Sequence, residues 1–418
     1  VSAFALMVEA VAARAEGRPA LGFTLGAFFA MALALLTKGL AAPVLLGGIF
    51  VVSLFFAWRE AALRRALLRT LFDPWGWLLF LATAVPWFWF VEKANPGHAQ
   101  FFFIHEHFAR FTTTVHARQG AHNAFADKLY FVGVLAAGLL PWLGSAVRGL
   151  KGATPFALGR GPQGPKAPLH RWIVGTSLLA ILVPLAFFSV SHSKLPPYIL
   201  PVVVPLMALA CALEREGDEA RALRIHALEL LFLGALFGLA APFLLPGGTA
   251  LPWVLAVGLA FLGLGFWALR PKGLTQNRWM AALSGSLLLL TLAAQAAVGR
   301  DKSSDHLVKQ APPSAQWMSV GYYFQNIPFR TGHRAVIVAG TGELAYGAER
   351  LPAEERNFWF RENLHDLMPA ARALQAADAS RPVFALFDAS IWPHLTAEER
   401  GAWDVVDRTR TTYLARLR

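Results

Sequence analysis

The sequence predicts a polytopic α-helical membrane protein that ends in a small α/β domain, and three observations predict it. Hydrophobic residues make up 56% of the chain and charged residues 15%, with a mean hydropathy of +0.46, a balance that a soluble domain of this length does not carry. About ten apolar segments of near-span length follow one another up to residue 298, separated by short loops of Lys, Arg, Gly and Pro. From residue 299 the hydropathy falls, and short β-rich runs alternate with a helical period.

Residues 1–13 are apolar apart from Ser2 and Glu9 and read as the end of a span, closed by Arg14 and Arg18. Spans are expected at 20–36 and 40–57, broken by Thr37-Lys38-Gly39, where a lysine and a glycine stop the first helix at the membrane edge. In residues 58–73, Arg59, Arg64, Arg65 and Arg69 alternate with Leu63, Leu67, Leu68 and Leu71 at helical spacing, which predicts an amphipathic helix on an anionic membrane surface. Further spans are expected at 75–91, 129–147, 172–188, 198–213, 225–245, 253–269 and 279–298, with 149–171 a loop of Gly, Pro and basic residues. The transmembrane domain is thus 1–298. Residues 299–418 form the α/β domain, with strands at 335–339 and 382–387 and a helix within 361–377. The chain opens at Val1 in apolar residues with no signal-peptide pattern, and without an initiator Met it is expected to lack its earliest spans.

The formal charge of +12 does not gather on one polar face, so it argues against nucleic-acid binding. Seventeen Lys and Arg fall in the loops near 14–18, 59–69, 148–171, 215–224 and 270–278, against six (Lys38, Lys93, Arg110, Arg118, Lys128, Lys194) in the alternate short loops. The positive-inside rule puts the seventeen in the cytoplasm. The other loops and, by parity, the C-terminal domain then face outward, which in a bacterium is the periplasm. The single cysteine, Cys211, excludes an internal disulfide and a Cys-based metal site.

Two outward loops hold the chemistry. Five of the twelve histidines lie between His98 and His122, with Glu106, Arg110 and Arg118. The second cluster is Ser189-Val190-Ser191-His192-Ser193-Lys194-Leu195-Pro196-Pro197-Tyr198. Titratable groups this close to a membrane mark a functional site, and the cations suit an anionic ligand. Lys38 and Lys194 could equally snorkel at helix ends. The Trp and Phe runs at 75–89 and 101–103 read as an interfacial belt or as the lining of a lipid groove. No Gly-rich nucleotide loop follows a strand, so direct use of a nucleotide is not expected.

Thr37-Lys38-Gly39, Glu106-His107-Phe108-Ala109-Arg110-Phe111, Leu140-Pro141-Trp142 and Ser193-Lys194-Leu195-Pro196-Pro197-Tyr198-Ile199-Leu200-Pro201 together resemble, in order, the motifs of the bacterial aminoarabinose transferases of lipid A. These are undecaprenyl-phosphate-sugar glycosyltransferases related to protein mannosyltransferases. Tyr323-Phe324-Gln325-Asn326-Ile327-Pro328-Phe329 and Gly342-Glu343-Leu344-Ala345-Tyr346-Gly347 are similar to stretches of their outer domain. His192 departs from the pattern, standing where the family often has a lysine, so one charge depends on pH.

The resemblance implies a type C glycosyltransferase fold in the bacterial inner membrane. It also implies inverting transfer of a sugar, 4-amino-4-deoxy-L-arabinose in the family, from undecaprenyl phosphate to lipid A or a related envelope acceptor. Transfer to protein or another glycan, or non-catalytic binding of a lipid phosphate, are the alternatives. Lys38, Arg110, Lys194 and Tyr198 are the expected donor-phosphate residues, the arginine being suited to bidentate binding. The resemblance further implies a divalent metal such as zinc on His107, whose other reading is a hydrogen-bonded histidine. The acceptor-activating carboxylate is expected upstream of Val1, which would leave this chain inactive alone; Glu106, a candidate partner of Arg110, is the fallback base.

Overall fold

The computed structural model describes the chain except for residues 110–123, 161–163, 165, 192–193, 214–218, 245–250 and 271–275. It divides into two compact units, Val1–Ala235 with Phe261–Met280, and Leu236–Ala260 with Ala281–Arg418.

The first unit begins with α1 (Ser2–Ala15), α2 (Leu21–Lys38), α3 (Ala41–Ala57), α4 (Ala61–Leu71) and α5 (Pro74–Ala94). Pro74 opens α5 at a position whose N–H would be orphaned anyway, and the Asp73 carboxylate caps it by accepting from the Gly76 N–H at 3.0 Å. Arg14 then ties four elements at one point. It donates to Asp73 at 2.6 Å, to the Thr24 hydroxyl at 3.2 Å and to the Arg69 carbonyl at 3.0 Å. A charge held by three acceptors satisfies the need of a nearly buried carboxylate for a partner. Gly76 lets α5 lie against Phe28, since a Cβ there would enter the ring. Phe28, Phe50, Leu67 and Trp172 are the large side chains of this core. In α4 the buried residues are Leu63, Ala66, Leu67 and Thr70 while Arg65 and Arg69 are exposed, as the amphipathic reading expects.

The remaining helices are α6 (Ala124–Gly138), α7 (Leu143–Pro155), α8 (Ala167–Val190), α9 (Leu200–Ala212), α10 (Glu219–Leu244), α11 (Leu251–Ala268) and α12 (Gln276–Lys302). The expected single span at 129–147 is instead two helices bent by 116°, because Pro141 has no N–H to donate and restrains Leu140. The expected loop at 149–171 is largely helical: α7 runs to Pro155, and α8 begins at Ala167. Gly149 carries that segment against α9, where a Cβ would strike the Ala210 backbone. Among the described residues, five helices are long and apolar enough to cross a membrane, or six if the bent pair is one span, and Ala41–Ala57 and Pro196–Ala212 are shorter apolar helices. The chain is a multi-pass membrane protein.

The second unit holds a six-stranded sheet in the order β3-β2-β1-β4-β6-β5. Its strands are β1 (Gln316–Val320), β2 (Ala335–Val338), β3 (Phe360–Arg361), β4 (Val383–Asp388), β5 (Trp403–Arg408) and β6 (Thr412–Leu417). The first four neighbours are parallel and the last two join antiparallel. Alternation sends Met318 and Val320 to one core with the helix Leu367–Ala377, and Trp317 to the other with Leu307, Phe384 and Leu414. The expected strands at 335–339 and 382–387 are present, and the helix expected in 361–377 begins at Leu367. At one edge β3 is two residues long; at the other, β5 carries a bulge between Val405 and Asp407.

Candidate functional site

The C-terminus of α2 places Lys38 where the helix leaves its last carbonyls unpaired, a position that favours a cation. The chain turns there at Gly39, with φ +79° and ψ −164°, a conformation open essentially only to glycine. Its N–H still reaches the Leu35 carbonyl at 2.9 Å. Across the site the ammonium of Lys38 lies 5.5 Å from the centre of the Tyr198 ring, within cation–π range. Two of the four residues expected to meet a phosphate are therefore adjacent, although they lie in separate motifs. Lys38 is exposed and Tyr198 half-buried, its ring 5.3 Å from that of Phe188. Arg110 lies outside the described residues.

Paired prolines favour an extended lead into a helix, yet Pro196-Pro197 forms one 3₁₀ turn, Pro196–Ile199. The fixed φ of proline suits the first turn of a helix as well as an extended chain, and Leu195 before it is extended. This turn closes with the Tyr198 N–H donating to the Leu195 carbonyl at 3.0 Å, and it sets the phenol beside Lys38.

Lys194 is fully buried. Its ammonium donates to the Ser189 carbonyl at 3.0 Å and to the Ser191 carbonyl, and it pairs with the Asp127 carboxylate at 3.2 Å. Three acceptors match its three protons. In this arrangement it braces the loop that leads into Tyr198 and joins it to α6.

His107 sits in the π-helical turn Phe101–Ala109 and has both ring nitrogens engaged by backbone. Nδ1 lies 2.5 Å from the Phe102 carbonyl, and Nε2 lies 2.9 Å from the Leu40 N–H. A carbonyl only accepts and an N–H only donates, so the proton is on Nδ1 and the Nε2 lone pair is used. That leaves His107 no lone pair for a metal. Among the described residues no three His, Cys, Asp or Glu side chains form a group that could hold a metal ion. The arrangement does not fit a metal on His107. What the histidine does instead is fix the turn after Lys38.

Of the carboxylates in these loops, Glu92 accepts from the Gly97 N–H at 2.8 Å and the Ala99 N–H at 2.7 Å, and Asp127 is paired with Lys194. Glu106 lies 3.6 Å from Nδ1 of His105, and its expected partner Arg110 is outside the described residues.

A second polar cluster escaped the sequence reading. At the bend between α6 and α7, His226 Nδ1 lies 2.7 Å from the Pro141 carbonyl and Nε2 lies 3.2 Å from Ser145 Oγ, while Glu229 accepts from the Gly144 N–H at 2.6 Å. The His226 ring stacks on Trp279. These side chains satisfy backbone groups that the broken helix frees. The only sequence signal is a His and a Glu three residues apart inside an apolar run.

Trp75 joins Leu21, Leu25, Leu78, Leu79 and Ala82 around an apolar groove of about 450 Å³. It opens beside Leu25, thirteen residues before Lys38 and thus about 20 Å along α2.

The chain is similar to several proteins named undecaprenyl phosphate-alpha-4-amino-4-deoxy-L-arabinose arabinosyl transferase. That of Edwardsiella ictaluri is 31% identical over 265 residues, 59% of this chain and 44% of that protein. One from Pseudomonas fluorescens is 28% identical over 386 residues, 86% and 64%, and one from Pseudomonas aeruginosa is 32% identical over 295 residues, 68% and 48%. The chain spans about half the length of the curated relatives it matches. Among solved structures, ArnT from Cupriavidus metallidurans bound to undecaprenyl phosphate has the same fold, with a TM-score of 0.73 at 23% identity over 99% of this chain and 72% of that one. No family model matches the chain.

Proposed function

From the premise that this chain is a homologue of the bacterial aminoarabinose transferases, with the type C glycosyltransferase fold of ArnT, we propose that it belongs to a glycosyltransferase of the bacterial inner membrane. It moves a sugar, in its relatives 4-amino-4-deoxy-L-arabinose, from undecaprenyl phosphate to lipid A or a related envelope acceptor. The observation that carries this reading is the Lys38–Tyr198 pair. A polyprenyl-phosphate donor brings an anion to the membrane boundary, and the bond between the sugar and that phosphate breaks as the acceptor oxygen attacks. An exposed ammonium beside a phenol supplies charge and a hydrogen-bond donor to the departing phosphate, where they count most. Lys194 and His107 act at one remove: Lys194 braces the loop ahead of Tyr198, and His107 fixes the turn behind Lys38.

Lys38→Ala is expected to weaken binding of undecaprenyl phosphate about tenfold, the loss of one charge-assisted contact. Tyr198→Phe keeps the cation–π face and loses only the hydroxyl, so a smaller loss is expected. Titration of the chain in nanodiscs reads both, and donor affinity unchanged in Lys38→Ala with the fold intact would remove this residue from the site.

The orientation follows from the basic loops. With the seventeen Lys and Arg in the cytoplasm, Lys38, Tyr198 and the C-terminal α/β domain face the periplasm. A phosphatase reporter joined after Arg418 is expected to be active, and a cytoplasm-active reporter at the same place to be silent. The reverse pattern would overturn the topology.

A further inference from the structure

In the C-terminal domain, β1 lies between β2 and β4, all parallel, so the chain runs outward on both sides of it. The sheet reverses its winding between β1 and β4, and open α/β sheets bind ligands at the carboxyl ends of strands flanking such a point. An open cleft of about 440 Å³ lies at that place. Tyr322 and Asn326 line it from the segment after β1, Asp388 from the last residue of β4, Thr412 from the neighbouring position on β6, and Ser303 and Ser304 from the chain before the domain's first strand.

The lining has a chemical bias. Among the described residues it contains hydroxyls, amides, a phenol, the ring of Phe324 and one carboxylate, and no Lys or Arg. Among the described lining residues a phosphate would meet the Asp388 carboxylate and no cation. Asn326 adds an amide to the lining, and the nitrogen of that amide is buried with no hydrogen-bond partner in the structure. Asp388 accepts from the Ser390 N–H at 2.8 Å and its hydroxyl at 2.6 Å, both through Oδ1, so the second oxygen remains to accept from a ligand. Tyr322 is 56% exposed and offers a flat ring beside these groups. Paired hydroxyls presented by a ring with an apolar face match that combination.

The walls are fixed in advance. Ser319 Oγ donates to the Tyr322 carbonyl at 2.7 Å and accepts from the Phe324 N–H at 2.9 Å. Gly321, at φ +79°, packs so closely on Ile391 that a Cβ would overlap it. Arg330, just beyond Asn326, grips Asp305, just beyond Ser304, through both carboxylate oxygens, which joins the two sides and holds the Asp305 carboxyl below the usual carboxylate range.

We propose that the C-terminal domain carries a second binding site, for an uncharged saccharide, at the carboxyl ends of β1 and β4. It takes no part in holding the donor phosphate and stands independently of the reading of Lys38 and Tyr198. The test uses the whole chain in nanodiscs free of donor lipid, titrated with chitobiose as the neutral probe and glucosamine 6-phosphate as the anionic one, read by saturation-transfer NMR. Chitobiose is expected to bind weakly, and Tyr322→Ala, on an exposed side chain, to weaken it about fivefold. Asp388→Asn keeps the shape and the bonds to Ser390 and is expected to act alike. The proposal is overturned if chitobiose gives no signal, if both variants bind it as the parent does, or if the phosphorylated sugar binds better. Donor-lipid affinity, measured separately, stays as in the parent in both variants.

Discussion

Gly39→Ala is expected to lower undecaprenyl-phosphate affinity more than any single change to a side chain of the Lys38–Tyr198 pair. The backbone at residue 39 occupies a region where an L-residue costs about 1–3 kcal/mol. The added Cβ would also enter the imidazole of His107, which accepts from the Leu40 N–H. The backbone strain relaxes only if the end of α2 unwinds, and the clash only if that turn shifts or His107 withdraws; a shift of the turn displaces Lys38. A loss of tenfold or more in donor affinity is expected. The double variant Gly39→Ala with His107→Ala should recover the part due to the clash and keep the part due to backbone strain, the coupling that a mutant cycle isolates. Wild-type affinity in Gly39→Ala would show that the turn does not position the lysine.

Lys194→Met is expected to destabilise the membrane unit by about 3 kcal/mol, toward the lower end for breaking a buried pair because Asp127 keeps some contact with water. The change strands the Ser189 and Ser191 carbonyls as well as the carboxylate. Asp127→Asn removes one charge and leaves the ammonium two carbonyls, so a smaller loss is expected. Thermal unfolding in detergent, with donor affinity measured below the transition, separates bracing from direct contact. A variant that unfolds like the parent yet loses donor affinity would mean that Lys194 reaches the phosphate itself.

Hydropathy gave most of the apolar helices to within a few residues, although among the described residues only five or six of them are long enough to cross a membrane. It missed the break at Leu139–Trp142, where Pro141 was present as a signal but sat inside an otherwise acceptable span. In the C-terminal domain β2 and β4 were legible as β-branched and aromatic runs. By contrast β5, Trp403–Arg408, sets two valines among three charged residues, and it blends with the polar segments around it. At the site, Lys38 and Tyr198 were legible through motifs, but their adjacency was not, nor was the pairing of Lys194 with Asp127. Such contacts join distant parts of the chain and depend on how helices pack. His107 shows the opposite limit: its residue type suits a metal or a backbone clamp equally, and only the positions of Phe102 and Leu40 decide between them.

The two edges of the C-terminal sheet carry a consequence for life on a crowded membrane. A long, flat, unpaired strand on many copies held at one surface would recruit its neighbours into a continuous ribbon. Here β3 offers only two residues, while β5, although it exposes Val405 and Val406, is kinked by its bulge and studded with Asp404, Asp407 and Arg408. Neither edge is a template for strand addition. Both edges are thus shaped against the backbone pairing that would link neighbouring copies at high surface density.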